Sequence, residues 1–172
     1  MQIVRFSAPQ LVARLRDFEN LLADAVAHGA SIGFMLPLGD GEAKAYWENV
    51  AAQLAAEGKV LVAALGADGT LLGSGQIAFE SRANGRHRAE IQKLMVLHAA
   101  RGRGIGAALM RGLEAEGVRA GRTLLFLDTS VGASGAVRFY EKLGYTHCGG
   151  IPDYARDPDG TFATNAIFFK RI

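Results

Sequence analysis

The chain has 172 residues, 49% apolar and 21% charged, the balance of one globular domain able to bury roughly 70% of its unfolded surface. That composition excludes a disordered, collagen-like or disulfide-stapled chain, and no run of about 18 uncharged apolar residues is present to span a membrane. With 19 Lys plus Arg against 17 Asp plus Glu, the net charge of +2 is too small to imply a nucleic-acid partner.

The lone Cys148 cannot form an internal disulfide, so a reducing cytoplasm is the simplest setting. The first ten residues lack the charged head and apolar run of a secretory leader, so none is expected.

In chain order, residues 2–6 read as a short strand. Leu11, Leu15, Phe18, Leu22 and Val26 recur at helical spacing across residues 10–28, and Gly29 is a stop. Residues 29–41 have no period and read as a Gly-rich loop able to pack over a site. A second helix follows over 42–57, then strands over 60–65 and 71–79 joined by an Asp68-Gly69 hairpin signal. A polar basic loop (81–88) precedes a strand over 90–97. A helix over 104–116, a buried strand over 123–128 and a helix over 134–143 follow. The tail reads as a strand over 145–148, a turn-rich stretch over 151–161 and a last strand over 165–170. The order βααβββαβαββ predicts one mixed α/β (α+β) domain over residues 1–172.

Residues 90–117 carry the chemistry. They read as strand, Gly-rich turn and helix, the turn being Arg101-Gly102-Arg103-Gly104-Ile105-Gly106. Such a turn aims several backbone N–H groups at one place, where the positive end of the helix dipole adds to them. A phosphate or pyrophosphate fits there, with Arg101 and Arg103 adding charge-assisted hydrogen bonds. A P-loop requires Gly-Lys-Ser/Thr, which is absent, and the dinucleotide pattern is matched only in part.

Arg101-x-x-Gly104-x-Gly106 after the strand LMVL resembles the acetyl-CoA motif of the GNAT acetyltransferases. The segment SGAVRFYEKLGY resembles that family's second motif through Ala136, Tyr140, Gly144 and Tyr145. Over residues 29–170, the segments GASIGFM, RAEIQKLMVL, ARGRGIG, LDT, PDG and AIFFK are similar to family members that acetylate a small molecule.

The resemblance implies a mixed central sheet with splayed strands flanked by helices, and acetyl-CoA in the gap. The cofactor would contact backbone groups at Met95, Val96 and Leu97. Its pyrophosphate would lie on N–H groups from Arg101 through Gly102, Arg103, Gly104, Ile105 and Gly106 to Ala107. Where many members carry an Asn, seven residues before the motif Tyr, this chain has Ala133, and Ser134 is the substitute contact.

The implied reaction is attack of a neutral amine on a thioester. It needs a base, an oxyanion donor and an acid for the leaving thiolate. Glu90 is the candidate base. It stands six residues before Val96, so strict alternation puts both side chains on one strand face. A backbone N–H near Val96 is the oxyanion donor, Tyr140 the acid, and Asp128 a partner for the substrate ammonium.

Plainer roles stand beside these. Glu90 could pair with Arg88, Asp128 could cap a helix, and Tyr140, Tyr46 and Trp47 could be core aromatics. His28, His87, His98 and His147 show no metal spacing, so no metal is expected. The expected acceptor is a small, amino-acid-like or antimetabolite amine, with no nucleic acid or membrane partner. A homodimer and longer acyl groups stay open. The alternatives are a protein N-terminal acetyltransferase and a non-catalytic acetyl-CoA-binding module.

Overall fold

Ser7 sets the start of the first helix. Strand β1 (Gln2–Phe6) leads into α1 (Ala8–Ala13). The Gln10 N–H donates to Ser7 Oγ at 3.4 Å, and the Ser7 N–H donates to Gln10 Oε1 at 2.8 Å, a reciprocal cap. Pro9 occupies the first turn, where its missing N–H costs nothing. The computed structural model describes residues 1–131 and 135–172.

Arg14 leaves helical geometry (φ −120°, ψ 24°), and α2 (Leu15–Ala27) starts after it. The single helix expected over 10–28 is therefore two. The apolar period runs through the break because Leu11, Phe18, Leu22 and Val26 all enter one core. No Gly or Pro marks the interruption.

The remaining elements are α3 (Glu42–Ala55), β2 (Lys59–Leu65), β3 (Leu71–Phe79), β4 (Arg88–Val96), α4 (Ile105–Arg119), β5 (Leu124–Ser130), α5 (Ala136–Lys142), β6 (Thr146–Gly149), β7 (Ala155–Arg156), β8 (Phe162–Ala163) and β9 (Asn165–Arg171). Seven strands form one sheet in the order β1-β2-β3-β4-β5-β9-β6. The β4–β5 pair is parallel and the other described pairs are antiparallel, which is the mixed α/β architecture expected. The Asp68-Gly69 signal marks the β2–β3 turn, with Gly69 at φ +81°. The β7–β8 pair forms a separate small hairpin. It falls within and just after the stretch read as turns, since strands of two residues carry no readable period.

Helices cover both faces of the sheet. On one face, Leu109, Met110 and Leu113 of α4 pack against Val62, Ile77 and Ile91. On the other, α1, α2 and α3 enclose Phe18, Trp47 and Leu61. Trp47 is 0% exposed, and its ring centroid lies 4.9 Å from that of Phe18. Trp47→Ala should lower stability by about 3–5 kcal/mol, the usual range for deleting a buried large aromatic. A denaturant melt with unchanged slope checks it; a loss near zero would contradict the packing described.

Two features of β4 shape the site. Pairing with β5 runs from Arg88↔Leu124 to Glu90↔Phe126 and then stops, although β4 continues to Val96 and β5 to Ser130. The strands splay beyond Glu90, as the resemblance implied. On the other edge, Ser74 pairs Met95 while Gln76 pairs Gln92, so β4 carries one extra residue. Lys93 sits there at φ +50°. Such a bulge reverses the inside–outside alternation. Ala89 and Ile91 face the α4 core before it; Met95 enters the opposite core and Val96 packs toward α4 after it. The expectation that Glu90 and Val96 share a face by strict alternation is therefore corrected: their side chains lie on opposite faces.

Candidate active site

The loop before α4 takes its shape from two glycines. Gly102 (φ +78°) and Gly104 (φ +76°) are left-handed, a conformation costly for residues with a Cβ. Gly104 caps α4 with its carbonyl, which accepts the Ala108 N–H at 3.0 Å. No side chain caps this helix end, so its first-turn N–H groups are open. A Cβ at Gly106 would lie 3.3 Å from the Phe139 ring, so glycine also permits the close approach of α4 to α5.

These groups border a cavity of about 450 Å³. Met95, Val96, Arg101, Gly102, Gly104, Ile105, Gly106 and Ala107 line it. Arg101 Nε donates to the Val96 carbonyl at 3.3 Å. Two residues named from the sequence are not in this wall. Arg103 is exposed outside it. The Leu97 N–H donates to Leu72 O at 3.0 Å, and its carbonyl accepts the Ala100 N–H at 2.8 Å. Ala133 and Ser134 lie outside the described residues.

A second cavity, of about 400 Å³, meets the first at Leu94 in the splay. Glu90, Asp128 and Tyr140 all line it, from β4, β5 and α5. Glu90 is half-buried and accepts a hydrogen bond from Gln92 Nε2 at 2.7 Å. Arg88 is not its partner but bonds Glu80 at 2.9 Å. Asp128 is exposed to the cavity and receives Asn165 Nδ2 at 3.4 Å. It caps no described helix. Tyr140 is 8% exposed, among Phe139, Tyr145 and Phe168. Burial first, and then the negative charge of Asp128, push its phenol up to about 12, so it stays protonated at neutral pH.

The walls come from the segments with least regular structure. Ser31, Ile32 and Gly33 belong to the loop between α2 and α3, and Tyr154 and Arg156 to the tail. The Leu36 N–H donates to Pro158 O at 3.0 Å and ties the two together. Of the adjacent aromatics, Trp47 is core, whereas Tyr46 lines the cavity. The basic run 82–88 sits at the other end of β4 from the Gly-rich loop. Arg82 and Arg88 there bond Glu80, at 2.7 and 2.9 Å.

Sequence reasoning missed a polar group inside this cavity. Lys59 is 8% exposed, and its Nζ donates to Gln76 Oε1 at 2.9 Å and Gln92 Oε1 at 3.0 Å. Gln76 Nε2 in turn donates to the Tyr46 hydroxyl at 2.8 Å. Burial, then repulsion by Lys93, lower the Lys59 pKa, while Glu90 opposes the shift. Lys93, at the bulge, is also lowered by burial, against the pull of Asp128 and Glu90. Nothing separates these residues in sequence from the solvated face of a strand; only pairing across β2, β3 and β4 brings them together. Among the described residues, no group of three or more His, Cys, Asp or Glu could hold a metal ion, and no helix is long and apolar enough to cross a membrane.

The arrangement places an uncapped helix end and a cavity lined by Glu90, Asp128 and Tyr140 on either side of one splay. Comparison with known proteins gives the family and the fold. The chain is 32% identical over 94 residues to an IAA acetyltransferase of Azospirillum brasilense, covering 55% of this chain and 60% of that protein. The chain thus matches less than two thirds of that curated relative's length. Its fold is similar to that of a ribosomal-protein-alanine N-acetyltransferase from Brucella melitensis, with TM-score 0.80, 21% identity and 100% coverage of both chains. It is also similar to a phosphinothricin acetyltransferase from Sinorhizobium meliloti solved with acetyl-CoA, with TM-score 0.80, 19% identity and coverage of 99% and 88%. The model of the acetyltransferase (GNAT) family matches residues 25–145. With two thirds of its length under that model, and with the splayed sheet and Gly-rich helix start in place, the chain belongs to the GNAT acetyltransferase family.

Proposed function

We propose that the chain transfers an acetyl group from acetyl-CoA to the nitrogen of a small, amino-acid-like amine, by direct attack in a ternary complex. The observation that carries this reading is the meeting of two cavities at Leu94. One borders the open N–H groups of α4, and the other holds Glu90, Asp128 and Tyr140.

Acetyl-CoA supplies an activated acyl group as a thioester. The open helix end and Arg101 hold its phosphates, and the β4 edge near Met95 and Val96, unpaired with β5, offers backbone groups to its amide arm. Asp128 attracts the acceptor's ammonium, and Glu90, directly or through a water, removes its proton. The new N–C bond forms as the C–S bond breaks. A backbone N–H near Val96 meets the developing oxyanion, and Tyr140 gives its proton to the leaving thiolate.

Three features support a small acceptor with both charges. Lys93 and Arg156 line the cavity along with Glu90 and Asp128, charges of both signs that suit a zwitterion. The Leu36–Pro158 hydrogen bond ties together the loop and the tail that wall the cavity, an arrangement that favours a small acceptor over a long peptide. The segments GASIGFM, RAEIQKLMVL and AIFFK resemble the tabtoxin resistance protein, which acetylates a small β-lactam amino acid.

Thermal unfolding with acetyl-CoA tests the cofactor half. At a hundredfold excess over Kd, ligand linkage adds about 2.7 kcal/mol, or roughly 5–10 °C in Tm for a domain of this size. No rise at saturation would remove the reading. Tyr140→Phe should keep that rise and lower kcat by about a hundredfold or more. Equal turnover in that variant would take Tyr140 out of the reaction.

A further inference from the structure

Lys59 has no role in the reaction just described, yet it is a nearly buried ammonium at the floor of the acceptor cavity. An ammonium in such a place must be satisfied by acceptors. Two amide oxygens do this, those of Gln76 on β3 and Gln92 on β4, at 2.9 and 3.0 Å. Gln76 and Gln92 are direct partners across the β3–β4 ladder, so one cation reaches both.

Lysine has three donors and no acceptor, while a glutamine amide is an acceptor at one end and a donor at the other. The ammonium therefore dictates which way both amides point. Their oxygens face inward, and both NH2 groups face away from Lys59. One donates to Glu90 Oε2 at 2.7 Å. The other donates to the Tyr46 hydroxyl at 2.8 Å. With its oxygen accepting, Tyr46 is left with its own proton to give. Burial raises the Tyr46 phenol to about 12, which keeps that proton in place. Both Glu90 and Tyr46 line the acceptor cavity.

We infer that Lys59 is a positioning residue that sets the hydrogen-bonding sense of the acceptor subsite: through Gln92 it holds Glu90 as a proton acceptor, and through Gln76 it turns Tyr46 into a donor toward the carboxylate of the bound acceptor. The kinetic part of this inference rests on the role proposed for Glu90. Charge alone does not explain Lys59, because Lys93 lines the same cavity and is also drawn to Glu90. What Lys59 adds is direction: without it, Gln92 can rotate and present its oxygen to the Glu90 carboxylate, and Gln76 can present its oxygen to the Tyr46 hydroxyl.

The test combines two readouts on the full chain. The first needs no turnover. Side-chain amide NMR signals of Gln76 and Gln92, assigned from Gln76→Leu and Gln92→Leu, are compared in the native protein and Lys59→Met. NH2 protons whose shifts and slow solvent exchange differ from those of an exposed glutamine in the native protein, and which move toward exposed values in Lys59→Met, support the inference; unchanged signals overturn it.

The second readout is a double-mutant cycle in acetyl transfer. Lys59→Met and Gln92→Leu should each lower kcat by about tenfold to a hundredfold, part of what a positioned base contributes. Each should leave the acetyl-CoA-dependent rise in melting temperature intact. The double variant should be no slower than the worse single one, because both changes break one chain of bonds. Lys59→Arg, which keeps the donors, should recover part of the rate. Losses that multiply in the double variant, or native kcat in Lys59→Met, would overturn it. Failure of the native protein to acetylate any amine would instead count against the proposed reaction, and the amide signals would still decide what Lys59 orients.

Discussion

Gly104→Glu should abolish the acetyl-CoA-dependent rise in melting temperature while leaving the protein folded. The backbone at Gly104 has φ +76°, so any side chain there adds about 1–2 kcal/mol of strain. That is a fraction of the stability of an ordinary domain. The added Cβ meets nothing within 4 Å, so no protein atom opposes it. The effect of the carboxylate is electrostatic and local. It would stand at the N-terminus of α4, where open N–H groups favour an anion, and would compete with and repel a pyrophosphate. Gly104→Ala separates the two causes, having the same strain without the charge, and should weaken binding less. Thermal melts at several cofactor concentrations measure both. Undiminished binding in Gly104→Glu would mean that phosphates do not sit at this helix start.

Glu90→Gln should lower kcat by about 10²–10⁴, the usual contribution of a positioned general base. The substitution is nearly isosteric and removes only charge and basicity. Acetyl-CoA binding should not change, because Glu90 lies in the acceptor cavity and not in the wall beside α4. The defect should also shrink as pH rises toward the pKa of the acceptor amine, since the amine then arrives already deprotonated. Native activity in Glu90→Gln at neutral pH would assign the base to another group or to solvent.

The two sides of the splay differed in how far they could be read from the sequence. The Gly-rich loop and helix start were legible because their physics is carried by backbone conformation. Gly102 and Gly104 are where left-handed geometry requires glycine, and a helix follows at once. Gathering Glu90, Asp128 and Tyr140 around one cavity required the family likeness, since they sit on three elements far apart in the chain. The bulge was not legible. Lys93 takes φ +50° with neither Gly nor Asn to mark it, and that one extra residue sends Val96 to the face opposite Glu90. The buried Lys59 was hidden for a different reason. A lysine at a strand start reads as solvated unless its cross-strand neighbours are known, and those neighbours are Gln76 and Gln92. The break at Arg14 and the β7–β8 hairpin escaped because neither interrupts or creates a hydrophobic period.

The most direct test of acetyl transfer to nitrogen is one incubation with acetyl-CoA and matched small acceptors: an amino acid, its amide, the corresponding decarboxylated amine and a short peptide. Thiol release and the mass of each acceptor are followed together. The expected result is thiol release matched one for one by a single acetyl group on the amine nitrogen, fastest for the free amino acid, whose ammonium and carboxylate would suit the Asp128, Glu90 and Lys93 that line the cavity. Binding of acetyl-CoA with no acetylated amine, or acetylation of the peptide in preference to every small acceptor, would contradict it.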